Sequence, residues 1–125
     1  MTQGHPSAAE LIEAVAEFLA DEVTPQLEPA AAFKLRVALN ALAIVARHLA
    51  LGPALAEQEC HALAGLLDQQ ADAETLNAAL CSAIRDRQLT WRDSALLDML
   101  MPIALGKLAV DNPKYATYRA LVQNT

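Results

Sequence analysis

The amino-acid sequence predicts an all-α fold: a single-domain five-helix bundle over residues 1–125, closed by a short C-terminal helix or tail. Composition is the first reason. Among 125 residues there are 27 Ala and 21 Leu against 10 Val and Ile together. Ala and Leu lose little conformational freedom in a helix, whereas β-branched residues lose more. The second reason is punctuation, because the few glycines and prolines fall mainly between runs of helical periodicity. The third is the apolar content, 54% of the chain, enough to bury a core and too much for a disordered segment.

The elements follow in order. Ser7-Ala-Ala-Glu10 is a capping-box pattern, in which the hydroxyl accepts from an orphan amide and the glutamate reaches back. Leu11, Ile12, Val15, Phe18, Leu19 and Val23 then recur at helical spacing, with Glu10, Glu13, Glu17 and Asp21 on the other side. This predicts an amphipathic first helix with an acidic outer face. Pro25 and Pro29 bracket a connector. The second helix starts near Pro29 and is predicted to stop at Gly52-Pro53, giving a span of about 29–51. It is apolar on nearly all sides, which predicts a central position. A third helix is expected from about Ala54 to Gln70 and a fourth from about Ala73 to Arg87. Thr90, with Asp93 three residues on, resembles a second capping pattern and opens a fifth helix through Leu97, Leu100, Ala104 and Leu108. Pro102 lies inside that run and should kink it. Residues 114–122 form a last short helix or tail, and the ends at 1–6 and 123–125 are expected to be flexible.

Charge and hydropathy exclude several classes of function. The net charge of -6 comes entirely from residues 1–28, which hold six acids and no Lys or Arg. An acidic surface repels nucleic acid and anionic lipid, so neither is an expected partner. Runs without a formal charge reach about ten residues, short of the roughly 20 that a membrane span needs. The N-terminus shows neither a basic region nor a hydrophobic signal core. Cys60 and Cys81 read as small buried thiols within helices, in keeping with a cytoplasmic setting.

Motifs that would carry chemistry are absent. There is no Walker loop, dinucleotide fingerprint, G-x-S-x-G or H-E-x-x-H. His5, His48 and His61 are scattered, and Glu57, Cys60 and His61 are the wrong set for a di-iron bundle. No metal, cofactor or catalytic residue is expected. Polar residues on apolar helices are more informative. Arg36, Asn40 and Arg47 project within about 40° of one another at ~100° per residue. If the second helix is central, these three point inward and need partners. Lys107 and Asp111 fall on the apolar side of the fifth helix, and Asn77, Cys81 and Arg85 form a seam on the fourth.

Three uses of these residues stand open. They build a buried network that fixes helix register, they serve a subunit interface, or they line an anion pocket between the second, fourth and fifth predicted helices. In the pocket, Arg36, Arg85 or Lys107 would meet a phosphate or carboxylate while Asn40 orients it, since arginine pairs oxyanions bidentately. Arg36 and Arg47 lie about 16 Å apart along the axis, too far to clamp one phosphate together. The single tryptophan, Trp91, is read as core packing or as part of an exposed contact patch.

Three segments in combination carry a resemblance. They are Arg36-Val-Ala-Leu-Asn40-Ala-Leu-Ala-Ile-Val-Ala-Arg47, Leu80-Cys81-Ser-Ala-Ile84-Arg85 and Lys107-Leu-Ala-Val-Asp-Asn112-Pro113-Lys114-Tyr115, with Leu51-Gly52-Pro53-Ala54-Leu55 between the first two. Together they resemble a family of small bacterial proteins known only as a domain of unknown function. Its members are typically encoded beside an aminoglycoside-phosphotransferase-like kinase and acyl-CoA dehydrogenases. The resemblance runs from the first helix to Tyr115 and departs at Lys114, where the family pattern has Arg. It implies an accessory role near acyl-CoA or acyl-phosphate metabolism, with the kinase or dehydrogenase as partner. It brings no catalytic residues. With the positions above, it gives a candidate set of Arg36, Asn40, Arg47, Arg85, Lys107, Asp111, Asn112 and Tyr115. A homodimer is a further expectation for so apolar a chain.

Overall fold

A computed structural model describes residues 5–123; the expectation of flexible ends falls partly on residues 1–4 and 124–125, outside the described residues. The fold class is all-α, with helices α1 (Ala8–Phe18), α2 (Pro29–Leu67), α3 (Ala73–Arg85), α4 (Ser94–Asp111) and α5 (Ala116–Gln123), and no strand among the described residues. Residues 1–52 and 53–125 form two compact units, and the boundary falls at the Gly52-Pro53 pair.

The capping box at the start of α1 forms as the sequence predicts. The Glu10 amide donates to Ser7 Oγ at 3.2 Å, and Glu10 Oε1 accepts from the Ser7 amide at 3.5 Å. The α-helix ends earlier than its apolar spacing suggests. Residues Leu19–Val23 widen into a π turn, and Thr24–Gln26 tighten into a 3-10 turn. Pro25 has no N–H to continue the α ladder. Both the backbone amide and the hydroxyl of Thr24 reach back to the Leu19 carbonyl, the hydroxyl at 2.9 Å.

The expected stop at Gly52-Pro53 does not occur. The second and third predicted helices are one 39-residue helix, α2, with Pro53 inside it. The proline removes the single bond to the Leu49 carbonyl, and the surrounding Ala and Leu residues carry the helix through. α2 is not enclosed either. Ala32 and Ala46 are buried, but Phe33, Val37, Val45, Leu49 and Leu51 are between 41% and 60% exposed. Among the described residues of the first unit, α1 is the one other α-helix beside α2, and one neighbour covers about one face of a helix.

The second unit has a defined core. Leu63 of α2, Leu76 and Leu80 of α3 and Leu96 of α4 cluster at 6% exposure or less, and Cys60, Leu66, Leu67, Leu89, Met99 and Leu100 pack against them. Asp72 caps α3, its Oδ1 accepting from the Thr75 amide at 2.7 Å. Two helices end on left-handed residues other than glycine, Asp68 after α2 (φ 53) and Arg87 after α3 (φ 62). Gln69 then donates to the Ala64 carbonyl, and Gln88 to that of Ala83, which is the Schellman closure. α4 begins at Ser94 rather than Thr90, because Asp93 Oδ2 accepts from the Thr90 amide at 2.7 Å while Thr90 Oγ1 bonds Arg92 instead of a helical amide. The helix continues through Pro102 to Asp111. α4 approaches α2 closely at Gly106, where an added Cβ would lie 2.9 Å from Leu55 Cδ2.

Candidate functional site

The polar residues singled out from the sequence do not build a buried network. Arg36 and Asn40 on α2 are exposed and Arg47 is half-buried; Arg85, Lys107, Asp111, Asn112 and Tyr115 are all exposed. No charged or polar residue is buried among the described residues. Hydrated guanidinium and amide groups need no interior partner, so the argument from buried charge does not apply to Arg36 and Asn40. The seam on α3 likewise faces water: Asn77, Cys81 and Arg85 are exposed, and Asn77 Nδ2 donates to the Ala73 carbonyl of its own helix at 3.0 Å.

Within the second unit, the structure joins Lys107 to Glu59 of α2 at 3.6 Å, with side chains 64% and 21% exposed. Wheel projection set Lys107 and Asp111 on the apolar side of their helix and gave no sign of Glu59, since no spacing rule links residues that far apart in the chain. A pair this open to solvent contributes under about 1 kcal/mol. Asn112 ends α4, donating its amide to the Leu108 carbonyl at 2.8 Å and accepting from the Tyr115 amide at 3.1 Å. These two residues shape the turn into α5. Both thiols are free, and no cluster of three or more His, Cys, Asp or Glu suited to a metal occurs among the described residues.

What the fold does concentrate is outward apolar surface. On α1, Leu11, Val15 and Phe18 are 53%, 54% and 58% exposed, while Ile12, Ala16 and Leu19 are half-buried. The apolar residues of α1 thus divide into an inner stripe and an outer one, with Glu10, Glu13 and Glu17 exposed on a third face. On α2, Phe33 and Val37 are 60% and 57% exposed, and the line continues in steps of three and four through exposed Asn40 and Leu51 and the half-buried Ile44 and Arg47 between them. In the second unit Trp91 is 73% exposed, so it is not part of the core, and the Arg92 guanidinium lies 5.2 Å from its ring centre.

A domain of unknown function, DUF6285, matches residues 25–115. The chain belongs to the DUF6285 family. The match begins at Pro25, so α1 lies outside it, whereas the resemblance read from the sequence began at the first helix. All eight candidate polar positions fall inside it. No curated protein and no solved structure matches the chain. α2 is long and apolar enough by length and composition to cross a membrane, with 11% of the qualifying stretch buried. The expectation against a span rested on uncharged runs of about ten residues, which Arg36, Arg47 and Glu57 delimit here. In the intact helix, Arg47 is the one formal charge between residues 37 and 56.

Proposed function

We propose that this chain is an accessory protein-binding module without catalysis of its own, working in the cytoplasm beside kinase-like or acyl-CoA-oxidising enzymes. One observation carries the reading. Among the described residues, sixteen large apolar side chains, from Leu11 to Val122, are exposed. Single exposed apolar residues are ordinary on a soluble protein, but contiguous stripes mark contact surfaces. The outer stripes of α1 and α2 and the Trp91–Arg92 pair are such surfaces, and tryptophan and arginine are enriched among residues that dominate binding energy. The enzyme partners are those implied by the family resemblance.

Affinity capture from the native cell at mild salt tests the proposal, with wild-type, Phe18→Glu and Trp91→Ala chains as parallel baits. A kinase or dehydrogenase held by the wild type and lost with either variant supports it. Identical recoveries from all three baits, or recovery of the bait alone, contradict it.

A further inference from the structure

From the same outward stripes, and resting on the reading of this chain as a binding module, we infer that a second copy of the chain covers the first unit, α1 of each copy packing antiparallel on α2 of the other. The argument begins with spacing. Phe33, Val37, Asn40, Ile44, Arg47 and Leu51 alternate in steps of four and three over α2, and Leu11, Val15 and Phe18 do so over α1. This repeat keeps one seam of a helix facing a partner helix along its length. The amide of Asn40 and the guanidinium of Arg47 interrupt the stripe and disfavour a lipid surface, where neither group would keep its water.

Charge identifies the partner. Residues 8–28 carry acids only, and residues 29–52 carry Lys34, Arg36 and Arg47 with no acid. Lys34 and Arg36 lie one position to either side of the α2 seam, at the flanks where interhelical charge pairs form. Both are exposed, as are Glu13, Glu17, Asp21 and Glu22. Each unit therefore presents an acidic arm and a basic arm, each beside its own apolar stripe. Two surfaces that complement each other on one molecule are what a two-fold, isologous contact requires.

The heptad arithmetic fixes a register. With Phe18 opposite Val37 of the second copy, Val15 faces its Asn40 and Leu11 its Ile44. The chain leaves the α-helix after Phe18 for the π turn Leu19–Val23, and in this antiparallel run that turn, with Asp21 and Glu22, lies toward the Lys34–Arg36 end of the other copy's α2. The opposite, parallel orientation carries the acids away from these two cations.

Sedimentation velocity on the intact chain tests this, over micromolar to submillimolar concentrations. The expected result is a reversible dimer, weakened about tenfold or more by Val37→Glu or by Arg36→Glu. Adding Asp21→Lys and Glu22→Lys to Arg36→Glu restores the affinity. Val37 and Arg36 are exposed, so the helical circular dichroism of both variants stays that of the wild type; if Val37→Glu loses it, Arg36→Glu and its charge-swapped partner decide alone. A monomer at every concentration overturns the inference, as does a dimer indifferent to these substitutions. Flotation of the wild type with phosphatidylcholine–phosphatidylglycerol vesicles, abolished by Val37→Glu, overturns it in favour of a lipid surface. A monomer that still retains a captured enzyme, lost on Val37→Glu, refutes the second copy while leaving the binding-module reading intact.

Discussion

Two glycines on the helices of the second unit give opposite expectations for the same substitution. Gly65 lies in α2 with no neighbouring atom within 4 Å of an added Cβ, whereas at Gly106 in α4 that Cβ would sit 2.9 Å from Leu55 Cδ2 and 3.6 Å from Cδ1. Alanine gains about 0.8–1.0 kcal/mol of helix propensity over glycine at either position. At Gly65 nothing opposes that gain. At Gly106 the leucine must give way, and overpacking costs about 1–3 kcal/mol, so the substitution ranges from about neutral to 2 kcal/mol destabilising. The two variants should therefore differ by about 1–3 kcal/mol, a Tm difference of about 3–15 °C at this chain length. Urea denaturation with circular dichroism measures it. The cycle with Leu55→Ala isolates the contact, because the penalty at Gly106 should vanish once Leu55 is shortened. Equal stabilisation by Gly65→Ala and Gly106→Ala would refute the close approach of α4 to Leu55.

Three other outcomes follow from the same structure. Leu76, wholly buried among Leu63, Leu80 and Leu96, should cost about 3–5 kcal/mol when cut to alanine, while Leu97→Ala at a half-exposed position changes the urea midpoint little. Arg87→Gly should stabilise by about 0.5–1 kcal/mol, since relief of the left-handed backbone outweighs the extra chain entropy of glycine; a lower midpoint would contradict the Schellman closure of α3. Hydrogen bonds from Thr75, through its side chain and its backbone amide, hold the Asp72 carboxyl below its usual value of 3.8. A carboxyl depressed in the folded state adds stability above its unfolded pKa and loses it as pH falls through the folded one. Asp72→Ala should thus lower Tm at neutral pH, with the gap to wild type closing below about pH 4; a gap independent of pH would contradict the cap.

The helical class, the capping box at Ser7 and the start of α3 were legible because each depends on residues within one turn of each other. Helix ends were harder. Gly52-Pro53 carries both stop signals and lies inside α2, because strong helix formers on either side outweigh one lost hydrogen bond. The true ends of α2 and α3 are closed by Asp68 and Arg87 in a conformation usually marked by glycine, and the ends expected near Gln70 and Arg87 overran them by three and two residues. The burial expected of the candidate polar set failed for a related reason. An arginine and an asparagine on an apolar helix imply burial only if that helix is enclosed, and enclosure depends on how many neighbours α2 has, which periodicity does not report. The same wheel projections did place the acidic face of α1 and the apolar stripes correctly, but could not say that half of the α1 stripe would be left uncovered.

Site-directed cross-linking probes the outward faces of α1 and α2 most directly. In a background with Cys60 and Cys81 replaced by serine, chains bearing Val15→Cys are mixed with chains bearing Asn40→Cys and mildly oxidised. The account predicts that disulfide-linked heterodimers form readily, and that a chain bearing Glu13→Cys, on the acidic face, does not link to the Asn40→Cys chain. Absence of the 15–40 link, or equal linking from residue 13, would contradict it.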